Sequence, residues 1–189
     1  DGPPGGKPYI DEEGPNGRED FASDEKPAKL KARAMLQMTR QINADLLPKI
    51  PHRMTPAVTV SCVTCHHGLP HPETLADRLG AVATAGGADS VVAELKDLRE
   101  SAEFGRFDVS EWGVNEAAQS LNRAGHGKEA LALLTANMGY HPESVSIPSM
   151  MAEIQVALGD TTAAIATLKK LVADDPGNRR AKMMLDRLT

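Results

Sequence analysis

Aromatic residues are scarce in this sequence, which has three Phe, two Tyr and one Trp among 189 residues. Hydrophobic residues still make up 41%, so any core must be built from Leu, Ile, Val, Met and many Ala. That choice favours packed helices over a sheet, whose strands draw on aromatic and β-branched side chains. No uninterrupted apolar run approaches the roughly 18–20 residues of a membrane span, and no charged-then-apolar signal segment opens the chain. The expectation is a chain with no membrane span. It begins at Asp1 rather than Met, as a processed mature form does. A Gly-rich phosphate loop, a nucleophile elbow and paired acids on one helix are all missing, so hydrolase chemistry finds no support.

Three regions follow from the pattern along the chain. Residues 1–27 contain Gly-Pro-Pro-Gly-Gly and Gly-Pro-Asn-Gly with almost no apolar periodicity, and read as an extended acidic arm. From Ala28 to about Leu47 the residues Met35, Met38, Ile42 and Leu46 recur at helical spacing, and Pro48 closes the run. Residues 48–72 hold five prolines, both cysteines and four of the six histidines, a loop organised by something other than an apolar stripe. Residues 28–74 therefore read as one small unit.

Residues 75–189 read as Ala-rich helices, with segments at 75–85 and 89–103 followed by an internal repeat of period 34. Gly125 pairs with Gly159, Ala130 with Ala164, Leu134 with Leu168 and Pro142 with Pro176. The period and the small–large–Pro order resemble tetratricopeptide (TPR) repeats, and residues 179–188 look like the lone helix that caps such an array. Met150, Met151, Met183 and Met184 read as core or groove filler on these helices. His126 and His141 read as surface residues.

Cys62-Val-Thr-Cys65-His66 has the order of c-type haem attachment. Two intervening residues let one backbone turn present both sulfurs to one edge of the macrocycle, while the next imidazole swings beneath the metal. A structural zinc site using His66, His67 or His71, a dithiol redox motif and a disulfide compete for the same residues. Zinc sites in helical proteins usually draw ligand pairs from two separated places, and a dithiol motif would want a neighbouring βαβ pattern. The pattern predicts one covalent haem c.

The net charge of −5 conceals a segregation: residues 1–25 carry eight acids and two bases, whereas Lys26 to Arg53 carry seven bases against Asp45 alone. The overall sign argues against nucleic acid as the main partner. The basic stretch reads either as a solvated helix face or as a surface for haem propionates or an acidic partner, with the arm itself a candidate occupant.

Lys31-Ala-Arg-Ala-Met-Leu-Gln-Met-Thr-Arg-Gln-Ile-Asn-Ala-Asp45 followed by Val60-Ser-Cys-Val-Thr-Cys-His-His-Gly68 is similar to one haem-binding unit of the cytochrome c subunit of photosynthetic reaction centres. In that family a helix carries the Met that becomes the second axial ligand, and a turn leads to C-x-x-C-H. The resemblance implies that Met35 joins His66 on the iron, with Met38 and His52 as alternative ligands. It covers residues 28–72 and occurs once, so the family's fourfold haem arrangement is absent.

The fold expected is mainly α: an arm, a haem-binding helix–loop unit and TPR-like helix pairs. The function expected is an electron-carrying monohaem c-type cytochrome of the bacterial periplasm or cell surface, working with redox partner proteins and docking through its TPR half. Two alternatives are a haem-bearing scaffold or filament subunit that self-assembles through the arm and the TPR surface, and a haem sensor or enzyme with an open iron site.

Overall fold

A computed structural model of the chain describes residues 26–100 and 105–189. The acidic arm up to residue 25, and the end of the expected 89–103 helix at 101–104, lie outside the described residues. The chain divides into two units, Asp1–Thr64 and Cys65–Thr189, and all regular elements among the described residues are helices.

In the first unit, helix α1 spans Pro27–Gln41. Lys26 is extended and Pro27 occupies the first helical position, where a missing N–H costs nothing. The run that follows is Lys, Leu, Ala, Arg, Met and Gln, all strong helix formers. The expected helix to Leu47 keeps its extent but changes its winding: Ile42–Leu46 form a π turn and Leu47–Lys49 a 3₁₀ turn. Pro48 supplies no N–H to the carbonyl one turn back, so regular α winding does not continue through it. The stripe of Met35, Met38, Ile42 and Leu46 does form on one side of this segment, yet no residue of α1 or of the two following turns is buried.

In the second unit, α3 spans Leu75–Glu100. Thr74 caps it reciprocally with Asp77: the Asp77 N–H donates to Thr74 Oγ1 at 3.1 Å, and Asp77 Oδ2 accepts from the Thr74 N–H at 2.9 Å and from its hydroxyl at 2.7 Å. Those bonds, the backbone one foremost, hold the Asp77 carboxyl below the ordinary carboxylate range. The expected segments 75–85 and 89–103 are joined in one element that breaks at Gly87, where φ is 71° and ψ −160°.

Helices α4 (Glu111–Arg123), α5 (Gly127–Tyr140), α6 (Ser146–Ala157), α7 (Thr161–Asp174) and α8 (Arg179–Leu188) follow. Each packs on its sequence neighbour, and α3 packs on α4 and α5. The 34-residue landmarks fall at equivalent places. Gly125 and Gly159 take φ of 91° and 82° and end α4 and α6. Behind them the N–H of His126 bonds the Leu121 carbonyl at 2.9 Å, and that of Asp160 bonds the Gln155 carbonyl at 2.8 Å. This is the six-to-one closure that a left-handed glycine permits. Ala130 and Ala164 are fully buried, as are Leu134 and Leu168. The small residues let paired helices approach, and each buried leucine stabilises the pair by about 1.5–3 kcal/mol.

A polar layer that periodicity does not disclose runs through the first repeat. Fully buried Asn137 donates to Asn115 Oδ1 at 3.1 Å and to the Glu111 carbonyl at 3.3 Å, and accepts from Arg99 at 3.3 Å. The Arg99 guanidinium lies 4.1 Å from the Tyr140 ring centroid. Glu111 accepts from the hydroxyls of Ser144 and Ser146 at 2.6 and 2.8 Å, and these bonds hold its carboxyl below the usual range. Two readings need correction. Met183 is exposed rather than packed, while Met150, Met151 and Met184 pack against the cores. His141 is only half-exposed, and its Nε2 is buried without a hydrogen-bond partner.

Candidate functional site

Cys62–His66 form a short helix, α2. Its start is fixed by its own sequence: the Ser61 N–H donates to Thr64 Oγ1 at 3.0 Å, and the Thr64 N–H to the Ser61 carbonyl at 3.1 Å. One of the two residues between the cysteines thus serves as a cap. Helical spacing places Cys62 and Cys65 one turn apart on one face. Both thiols are exposed, and they are not joined to each other.

The helix ends immediately after His66. His67 has φ 50° and Gly68 φ 83°, two successive left-handed residues that reverse the chain. His67 adopts this conformation at a cost of about 1 kcal/mol, Gly68 without penalty. The reversal brings Leu69 back over the helix end: its N–H bonds the His66 carbonyl at 2.8 Å, and its carbonyl lies 3.0 Å from His66 Nδ1. A carbonyl can only accept, so Nδ1 carries a proton, and in the neutral ring Nε2 is then the nitrogen with the lone pair that binds a metal. The bond fixes the orientation of the imidazole, as hydrogen bonds to the other ring nitrogen do for metal-binding histidines.

A second device fixes the chain before Cys62. Asn43, in the π turn after α1, donates through Nδ2 to the Val60 carbonyl at 2.7 Å and accepts through Oδ1 from the Val60 N–H at 2.8 Å. The Asn43 amide thus ties the π turn to the residue two places ahead of Cys62. Arg53 donates to the Val58 carbonyl at 2.9 Å within the intervening loop. Periodicity alone did not single out Asn43 or Leu69. A polar residue directly after Ile42, in the Met35–Leu46 stripe, was the one available signal for Asn43.

Among the other candidates, Met35 and Met38 lie on α1 with 43% and 53% of their surface exposed, and the Thr39 hydroxyl donates to the Met35 carbonyl at 2.8 Å. His52 is exposed in the loop with φ 53°, and His67 and His71 are exposed as well.

The residues present fit a haem c. The donor set is two unpaired thiols one turn apart and an imidazole whose Nε2 is left for iron. The first unit exposes apolar side chains, Met35, Met38, Leu46, Ile50, Val58, Val63 and Met54, the last 80% exposed. A flat apolar macrocycle is what such a surface would bury. The competing readings find less. Among the described residues no three His, Cys, Asp or Glu side chains gather as a metal site, and there is no strand to frame a dithiol motif.

Replacing Asn43 by Ala should remove both bonds to Val60 and destabilise the unit by about 1–2 kcal/mol. Asn43→Asp, which keeps the acceptor and loses the donor, should fall between Ala and the native chain in a chemical unfolding series.

Comparison with known proteins matches two parts of the chain. Residues 2–96 match the family described as Photosynthetic reaction centre cytochrome C subunit, a span that begins well before the 28–72 resemblance and extends into α3. Residues 121–188 match Tetratricopeptide repeat, from the end of α4 through α8. Cytochrome c-554 of Chloroflexus aurantiacus is 41% identical over 51 residues, which are 27% of this chain and 12% of that protein's length. Among the described residues no helix is long and apolar enough to cross a membrane.

Proposed function

The chain belongs to the photosynthetic reaction centre cytochrome C subunit family, and from that premise we propose that it is a monohaem electron carrier, with Cys62 and Cys65 as the thioether anchors and His66 as the proximal ligand. The observation that carries the reading is the bond between His66 Nδ1 and the Leu69 carbonyl, placed one residue after two exposed thiols. Residues 28–74 serve as the haem-binding unit and 75–189 as a helical docking module.

When bound, the haem supplies an iron that takes up and releases one electron. The protein residues determine what that iron can do. The Leu69 carbonyl accepts a hydrogen bond from His66 Nδ1–H, which orients the ring and would make Nε2 a better donor to a bound iron. Met35 is the sixth ligand in this reading, with Met38 or His52 in reserve, and a thioether there favours the reduced iron. If His66 and a methionine both held the iron, substrate would have no open position to bind, which would suit electron transfer rather than catalysis. Attachment through C-x-x-C-H takes place outside the bacterial cytoplasm, so the compartment is the periplasm or the cell surface.

The test is the intact mass and the oxidised and reduced spectra of the purified protein. One haem per chain, resistant to acid–acetone extraction, is the expected result. An unmodified polypeptide mass, extractable pigment or bound zinc would overturn it.

A further inference from the structure

Helix α1 has a second face. Lys29, Arg33, Leu36 and Arg40 follow one another at i, i+4, i+7 and i+11, within about 60° of arc and over roughly 16 Å of helix. The Met35–Met38–Ile42 stripe lies on the other side. No acidic residue occurs anywhere in α1. Arg33 and Arg40 are exposed, Leu36 is 48% exposed in the middle of the stripe, and Leu30 is exposed beside it. Lys29 and Arg33 are each engaged in an interaction of their own, and both set their positive charge on this face.

We propose that the Lys29–Arg33–Leu36–Arg40 stripe is the docking surface for an acidic redox partner protein, one whose contact face sets carboxylates around an apolar patch. The inference rests on the electron-carrier reading. Cations around a single exposed leucine make a small apolar contact within a charged rim, the composition of a transient encounter rather than a permanent interface. Opposite charge on the partner raises the encounter rate and selects its orientation. A helix is about 10–12 Å across with its side chains, so a partner held on this face stays within one helix width of the methionine face. An anionic membrane would also attract the cations. Interfacial helices, however, insert a broad apolar face, and in α1 that face is the methionine stripe assigned to the haem.

The probe is a plant-type ferredoxin, chosen for its acidic surface and low potential. Two readouts are taken at several salt concentrations: the second-order rate at which reduced ferredoxin reduces the holoprotein, and the calorimetric affinity of oxidised ferredoxin, which needs no haem to be read. At low salt the Arg33→Glu/Arg40→Glu variant should lower the rate about tenfold and flatten its salt dependence, and Leu36→Ser should weaken the affinity. Arg179→Glu/Lys182→Glu on α8, which changes net charge equally, should leave both nearly unchanged. Arg33→Gln/Arg40→Gln should give an intermediate loss, which guards against misfolding of the charge-reversed chain. The proposal is overturned if the α1 variants behave as the native chain, or if the α8 control loses as much. It is also overturned if the α1 variants alter only binding to phosphatidylglycerol–phosphatidylcholine vesicles. A chain that proves to carry no haem sinks the carrier reading, whereas a haem-loaded chain whose α1 variants keep the native rate, affinity and salt dependence sinks the docking surface alone.

Discussion

The double variant Cys62→Ala/Cys65→Ala should retain no pigment after acid–acetone treatment, and its intact mass should equal that of the bare polypeptide. Each single variant should keep one haem through the remaining thioether, at lower yield. The expectation follows from α2, where helical spacing sets the two thiols on one face and leaves them unpaired, so each makes its bond without the other. A further consequence concerns folding. Among the described residues of the first unit none is buried, and isolated helices of about 15 residues are marginal in water. The second unit owns a core that includes the fully buried Leu133, Leu134, Leu168 and Ile147. Loss of haem in the double variant should therefore melt α1 while α4–α8 stay folded. Circular dichroism should report a partial loss of helix, and limited proteolysis should cut between residues 26 and 61 while sparing 105–189. Unchanged helix content and protease resistance in a haem-free chain would mean that the first unit is held together by something else.

What could be read from the residues was what repeats or what chemistry orders locally. The 34-residue offset placed Gly125 and Gly159 at helix ends because a left-handed turn favours glycine wherever it recurs. It placed Ala130 and Leu134 in the core because two equivalent helices must pack alike. Cys62, Cys65 and His66 stood out because attachment chemistry dictates that order, and the structure sets them on one short helix with the imidazole held by Leu69. Features that depend on a partner distant in sequence were not. Asn43 meets Val60 across 17 residues, and Arg99 meets Asn137 across 38. The left-handed pair at His67 and Gly68 was hidden for a different reason: a non-glycine residue adopts φ 50° only when its surroundings require it. The apolar stripe of α1 was found correctly as a pattern. An apolar face without protein cover looks the same in sequence as one bound for a core, and only the structure separates them.

Met35→Leu should lower the midpoint potential by on the order of 0.1 V, a fraction of the roughly 0.8 V that axial-ligand identity spans. It should also abolish the weak long-wavelength sulfur-to-iron band of the oxidised protein. Leucine keeps the volume and the helix propensity of methionine, so the change costs less than about 1.5 kcal/mol in stability, and a large effect on the potential cannot then come from unfolding. The thioether is the one property removed. Met38→Leu is the matched comparison, since Met38 lies on the same side of α1 and is exposed to a similar degree. The resemblance implies that the first methionine of the Met-x-x-Met-Thr-Arg order is the ligand, which is why Met35 is proposed for the iron and Met38 for packing. If Met38→Leu removes the band and Met35→Leu does not, the register is shifted by one turn. If both variants keep the native potential and the band is missing throughout, a histidine such as His52 or an open position takes the sixth site, and the carrier reading gives way to a sensor or an enzyme.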